Sequence, residues 1–82
     1  MKLSKEQLSA SVGETLRNLR MSRNMSIEQL ANATRMGYSQ LSRIERGKIN
    51  TSIYHVYNII TTLRASPYTV IKILFKSITD KH

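Results

Sequence analysis

The stretch SIEQLANATRMGYSQLSRIERG, Ser26 to Gly47, reads as two short helices joined by a tight turn, and the other segments take their places around it. Ser26 followed by Gln29 has the spacing of a capping box, in which the serine hydroxyl accepts from the N3 amide and the glutamine returns to the cap's own amide. Met25 and Leu30 are spaced to close a hydrophobic staple over that start. Ile27, Leu30, Ala31 and Thr34 fall at i, i+3, i+4 and i+7, which predicts one narrow buried face. The helix must stop near Thr34 and Arg35. Gly37 can then cap a second helix, and Gly47 supplies the left-handed residue that ends it.

A helical wheel at about 100° per residue gives the second helix its orientation. With Tyr38 at zero, Gln40, Ile44 and Leu41 lie on the core side, whereas Ser42, Arg46, Ser39 and Arg43 form a polar, cationic face turned away from it. Two helices, a short turn and an outward-facing second helix describe a helix-turn-helix, whose second helix enters a DNA major groove.

The individual residues go further. Between Leu16 and Ser66 the chain carries LRNLR in the helix before this pair, S-I-E-Q-L-A at the start of the pair and SRIERG at its end. In these it resembles the Xre/Cro family of phage-repressor-like regulators, in the small stand-alone form similar to restriction–modification controller proteins. The match covers residues 11–66. It implies an all-α fold, a compact five-helix bundle of the lambda-repressor-like DNA-binding type, with the helix-turn-helix made from helices two and three. It also implies base contacts at Tyr38, Ser39 and Arg43, with Gln40 and Ser42 in support, and a structural ion pair between Arg20 and Glu45. Two departures stand out. Ile27 replaces the glutamine that commonly touches a phosphate, and Arg35 stands where glycine or asparagine usually takes a positive φ, at a cost of about 1 kcal/mol.

Phosphate contacts are expected on either side of the recognition helix, at Ser26, Arg35, Arg46, Lys48, Asn50 and Ser52, because these lie at helix termini or in the turn and loop that would face the DNA backbone. The charge balance agrees with a polyanionic partner. The chain carries a net +8, and half of that excess lies between Glu14 and Lys48, where seven cations oppose Glu14, Glu28 and Glu45.

The flanking segments supply the remaining helices. Ser4 and Gln7 have capping-box spacing, and Leu8, Val12, Leu16 and Leu19 continue a stripe through Gly13, which predicts a long first helix, with Ser9 to Gly13 the stretch where a break could fall. Arg17 and Arg23 on it read as a solvated basic face. A fourth helix, capped by Thr51 or Ser52, is expected to bury Ile53, Val56, Tyr57, Ile60 and Leu63. Ser66-Pro67 opens a fifth helix over 67–80, whose apolar residues spread over an arc of about 220°, wider than a monomer core needs. The excess predicts a homodimer interface built from Tyr54, Ile59, Tyr68, Ile71, Phe75 and Ile78.

Residues 1–82 are read as a single domain without a small-molecule effector region. Cysteine is absent, and neither an apolar signal segment nor a membrane span is visible, so a reducing cytoplasm is the expected compartment. One aspartate, two isolated histidines and three scattered glycines offer no catalytic constellation, metal site or cofactor cradle, so no enzyme is expected. The expected partners are double-stranded DNA and a second copy of the chain, and the resemblance allows a contact with RNA polymerase. The competing assignment is a protein-interaction module of the same fold, antitoxin-like or adaptor. Such a module calls for large apolar residues on the outward face of the recognition helix, where this chain has Ser39, Ser42, Arg43 and Arg46.

Overall fold

Serine hydroxyls open four of the five helices. The computed structural model describes residues 2–48 and 51–81, among which there is no strand. Ser4 Oγ accepts from the Gln7 amide at 3.1 Å while Gln7 Oε1 accepts from the Ser4 amide at 2.9 Å, a complete capping box at the head of α1 (Lys5–Ser22). Ser26 and Gln29 repeat it at 3.0 and 2.8 Å for α2 (Ile27–Thr34). Gly37 leads into α3 (Tyr38–Glu45). Ser52 caps α4 (Ile53–Thr62) by accepting from the His55 amide, and Ser66 does the same for Thr69 at the start of α5 (Pro67–Lys81).

Helices α1 to α4 all stop in one manner. Asn24, Arg35, Gly47 and Arg64 take φ values of 57°, 61°, 68° and 58°. After each, the next amide reaches back five residues, from Met25 to Arg20, Met36 to Ala31, Lys48 to Arg43 and Ala65 to Ile60. This is the Schellman motif, and Met25, Met36 and Ala65 fold inward beyond it. Three of the four left-handed positions are held by residues with a Cβ, which costs roughly 1 kcal/mol each.

Leu16, Leu30, Leu41, Ile44 and Ile59 are fully enclosed, and Ala31, Met36, Ile60, Leu63 and Val70 complete the core around them. In this core α1 runs against α3 and α5, α2 against α3 and α4, and α4 meets α5. Polar side chains tie the helix ends together. Arg23 Nε donates to the Leu63 carbonyl at 3.0 Å, so this arginine caps α4 and is no free surface charge. Asn58 Nδ2 donates to the Thr34 carbonyl at 3.1 Å at the end of α2. Lys81 pairs with Glu14 at 2.5 Å and anchors the end of α5 on α1.

Three sequence expectations need correction. Helix α1 is continuous, with no break between Ser9 and Gly13. Gly13 is there for proximity: a Cβ on it would lie 2.3 Å from the Ile44 carbonyl oxygen and 2.7 Å from that of Glu45, so the two backbones touch. In α4 the buried face is Ile59, Ile60 and Leu63 with Val56 partly covered, while Ile53 and Tyr57 are 84% and 56% exposed. The frames 53/56/57/60 and 56/59/60/63 satisfy the same helical spacing, and only packing distinguishes them. Ile59 and Ile78, assigned above to a dimer interface, are 0% and 8% exposed and belong to the core. No helix among the described residues is long and apolar enough to cross a membrane.

Candidate nucleic-acid interface

The orientation of α3 is set by one buried ion pair. Arg20 Nε meets Glu45 Oε2 at 2.8 Å and Arg20 Nη2 meets Oε1 at 3.0 Å, a two-pronged contact between α1 and the last turn of α3. Arg20 Nη1 also donates to the Met25 carbonyl at 2.7 Å, so the same guanidinium holds the loop into α2. Each of the three guanidinium nitrogens of Arg20 therefore donates to a partner within the protein. The left-handed turn at Arg35 and the extended Gly37 then bring α3 out across α2 with Leu41 and Ile44 inward.

On the outer side of α3, Tyr38 is 56% exposed, Ser39 and Arg43 are exposed, and Ser42 is half-buried. Arg46 follows, exposed, with its Nε 3.4 Å from the Ser42 carbonyl. Gln40 lies on the flank of the helix, half-buried, with its Nε2 3.3 Å from His55 Nε2 on α4. The five expected base-contacting residues thus occupy one and a half turns of a single helix, four of them on its outer side.

The expected phosphate contacts surround that helix less evenly. Ser26 is exposed, and although its hydroxyl oxygen accepts from Gln29 it keeps a hydrogen to donate. Arg35 is exposed at the turn, Lys48 follows the end of α3, and exposed Ser52 is engaged as the α4 cap. Asn50 lies outside the described residues. A cation not expected at the interface joins these: Arg17, with Arg46 and Lys48, rims a shallow concavity whose remaining walls are Ile27, Ser42 and Glu45. Because Arg20 neutralises Glu45, the three rim cations face an open hollow without a competing free carboxylate in it. Its signal in the sequence is spacing, since Arg17 lies one turn before Arg20 on the same helix face, and so near whatever Arg20 pairs with.

Among the described residues no group of three or more His, Asp or Glu is arranged to hold a metal ion. A model of the helix-turn-helix domain matches residues 11–68. The chain belongs to the helix-turn-helix domain family. The helix-turn-helix fold also appears in solved structures. The wild-type restriction–modification controller protein C.Esp1396I superposes with a TM-score of 0.83 at 26% identity, over 88% of this chain and 95% of that one. The same controller, as a tetramer in complex with its natural 35 base-pair operator, gives a TM-score of 0.82 at 26% identity and the same coverage. The clp gene regulator ClgR from Corynebacterium glutamicum gives 0.85 at 27% identity, over 90% of this chain and 79% of that one. No curated protein sequence matches the chain.

Proposed function

We propose that this protein is a sequence-specific double-stranded DNA-binding transcriptional regulator that acts as a homodimer on a pseudo-palindromic operator. The observation that carries this is the outer face of α3: Ser39, Ser42 and Arg43 behind the leading Tyr38, flanked by Arg17, Arg46 and Lys48. In the complex, Tyr38, Ser39 and Arg43 meet base edges with Gln40 and Ser42 in support. Ser26, Arg35, Arg46, Lys48, Asn50 and Ser52 hold phosphates, and Arg17 joins them. Arginine at such a position most often reads guanine through two hydrogen bonds. Operator-bound C.Esp1396I, which has this fold, favours the same use of the surface.

Dimerisation follows from the apolar residues left over. Tyr68, Ile71 and Phe75 are 71%, 47% and 60% exposed and share one flank of α5, and Tyr54 on α4 is 66% exposed. One recognition helix covers only a few base pairs, whereas a two-fold dimer doubles the contacts and sets half-site centres about 34 Å apart. A dimer formed in step with binding also fits an autoregulator, whose occupancy rises with a power of its own concentration.

The test is selection of duplexes from a randomised pool, combined with sedimentation of the free protein. Enrichment of an inverted repeat with centres one helical turn apart, and a dimer at micromolar concentration, are expected. Phe75→Asp should yield a folded monomer that no longer binds cooperatively. A monomer that retains no duplex over random sequence would refute the proposal.

A further inference from the structure

The bond between Gln40 and His55 joins the first turn of the recognition helix to α4, although α3 packs chiefly on α1 and α2. With the Gln40 amide nitrogen as the donor of this contact, His55 Nε2 accepts and the ring proton sits on Nδ1. That Nδ1 is enclosed by protein and has no hydrogen-bond partner among the described residues. The His55 backbone is fixed by its amide bond to Ser52 at the start of α4, and the Tyr54 ring lies 5.9 Å from the imidazole at 57°. With its nitrogen engaged, the Gln40 amide keeps Oε1 as an acceptor, on a helix flank next to Arg43 three residues on. In the major groove the groups that donate to such an acceptor are the exocyclic amines of adenine and cytosine.

We propose that His55 is a positioning residue for base recognition: by holding the Gln40 amide nitrogen it presents Oε1 as a fixed acceptor, which selects an amine-bearing base next to the pair read by Arg43. This rests on the assignment of α3 as a base-reading helix. An untethered glutamine presents either end of its amide and loses rotamer freedom on contact. The tether removes both penalties before DNA arrives.

The experiment is duplex selection and competition binding with wild type, His55→Leu, Gln40→Ala and the double variant, each checked for folding by circular dichroism. Wild type should select adenine or cytosine at one position per half-site. His55→Leu should weaken that preference about three- to tenfold, the loss of one hydrogen bond, while preference at the Arg43 position and affinity for random duplex stay unchanged. The double variant should match Gln40→Ala, and His55→Gln, which can accept through its own oxygen, should restore the preference. Unaltered base preference in His55→Leu, or losses that multiply in the double variant, would overturn the role of His55. Should His55→Leu fail to fold, Gln40→Ala decides: an intact preference there overturns the proposal. Failure of the wild type to select any duplex would remove the DNA-binding assignment itself, an outcome distinct from selection that ignores position 55.

Discussion

Breaking the Arg20–Glu45 pair should cost this small domain much of its stability. The carboxylate side chain is 2% exposed and the guanidinium 10% exposed, with two bonds between them at 2.8 and 3.0 Å. Removing one partner of a buried pair costs about 3–5 kcal/mol, because the survivor is left charged and desolvated. The two truncations should differ. Arg20→Ala strands an almost wholly enclosed carboxylate and also frees the Met25 carbonyl, so it belongs at the upper end of that range. Glu45→Ala leaves a guanidinium that still holds the Met25 carbonyl and has an edge in water, so it belongs at the lower end. At about 0.05–0.15 kcal/mol per residue the native state of such a chain has only about 4–12 kcal/mol to lose. A loss of about 3 kcal/mol lowers Tm by roughly 12–24 °C at this size. Arg20→Met combined with Glu45→Leu, which replaces both charges by apolar groups, should recover most of either loss. Urea and thermal unfolding of the singles and the double give the coupling energy. Single losses below about 1 kcal/mol that simply add would show that the pair is not a structural element.

Arg43→Ala should cost about 1–3 kcal/mol on the selected operator and relax one base pair per half-site, and equal loss on random DNA in competition binding would contradict base reading. Arg17→Ala and Arg46→Ala should each weaken all duplexes alike and reduce the slope of log affinity against log salt by about one unit; an unchanged slope would mark that residue as a solvated charge. Arg64→Gly relieves a left-handed Cβ far from α3 and should raise stability by up to about 1 kcal/mol without touching DNA affinity. Arg35→Gly should show the same gain in thermal unfolding with a loss of affinity, and unchanged affinity would remove Arg35 from the interface.

Local chemistry was the legible part of the sequence. The Ser4/Gln7 and Ser26/Gln29 boxes, Ser66-Pro67 and the left-handed stop at Gly47 each involve residues within a few positions of one another, so spacing alone specifies them. Arg20 and Glu45, 25 residues apart, were legible only through the family resemblance. Helix faces were harder. Helix α4 has apolar residues all round, and Ile53 and Tyr57 compete with Ile59 for the core until α2 and α5 decide which side is covered. Ile78 went to the core for the same reason, since α5 has more apolar surface than α1 and α4 can enclose. Arg23 on Leu63, Asn58 on Thr34 and Gln40 on His55 are side-chain contacts between distant segments that leave no periodic trace.

The contact of α1 with the end of α3 carries a consequence for the operator. A Cβ on Gly13 would strike the carbonyls of Ile44 and Glu45, one on Gly47 would lie 2.6 Å from the Ala10 Cα, and the Arg20 fork closes the same joint. A helix seated backbone to backbone has no room to rock, so the reading head cannot adjust its pitch to an imperfectly spaced site. In the proposed dimer a mismatch between the two heads and the groove falls on the DNA and on the seam between protomers, not on this joint. The energy of that deformation depends on the steps between the half-sites, pyrimidine–purine steps yielding most readily. The stiffness of this joint therefore passes sequence preference to base pairs that no side chain touches.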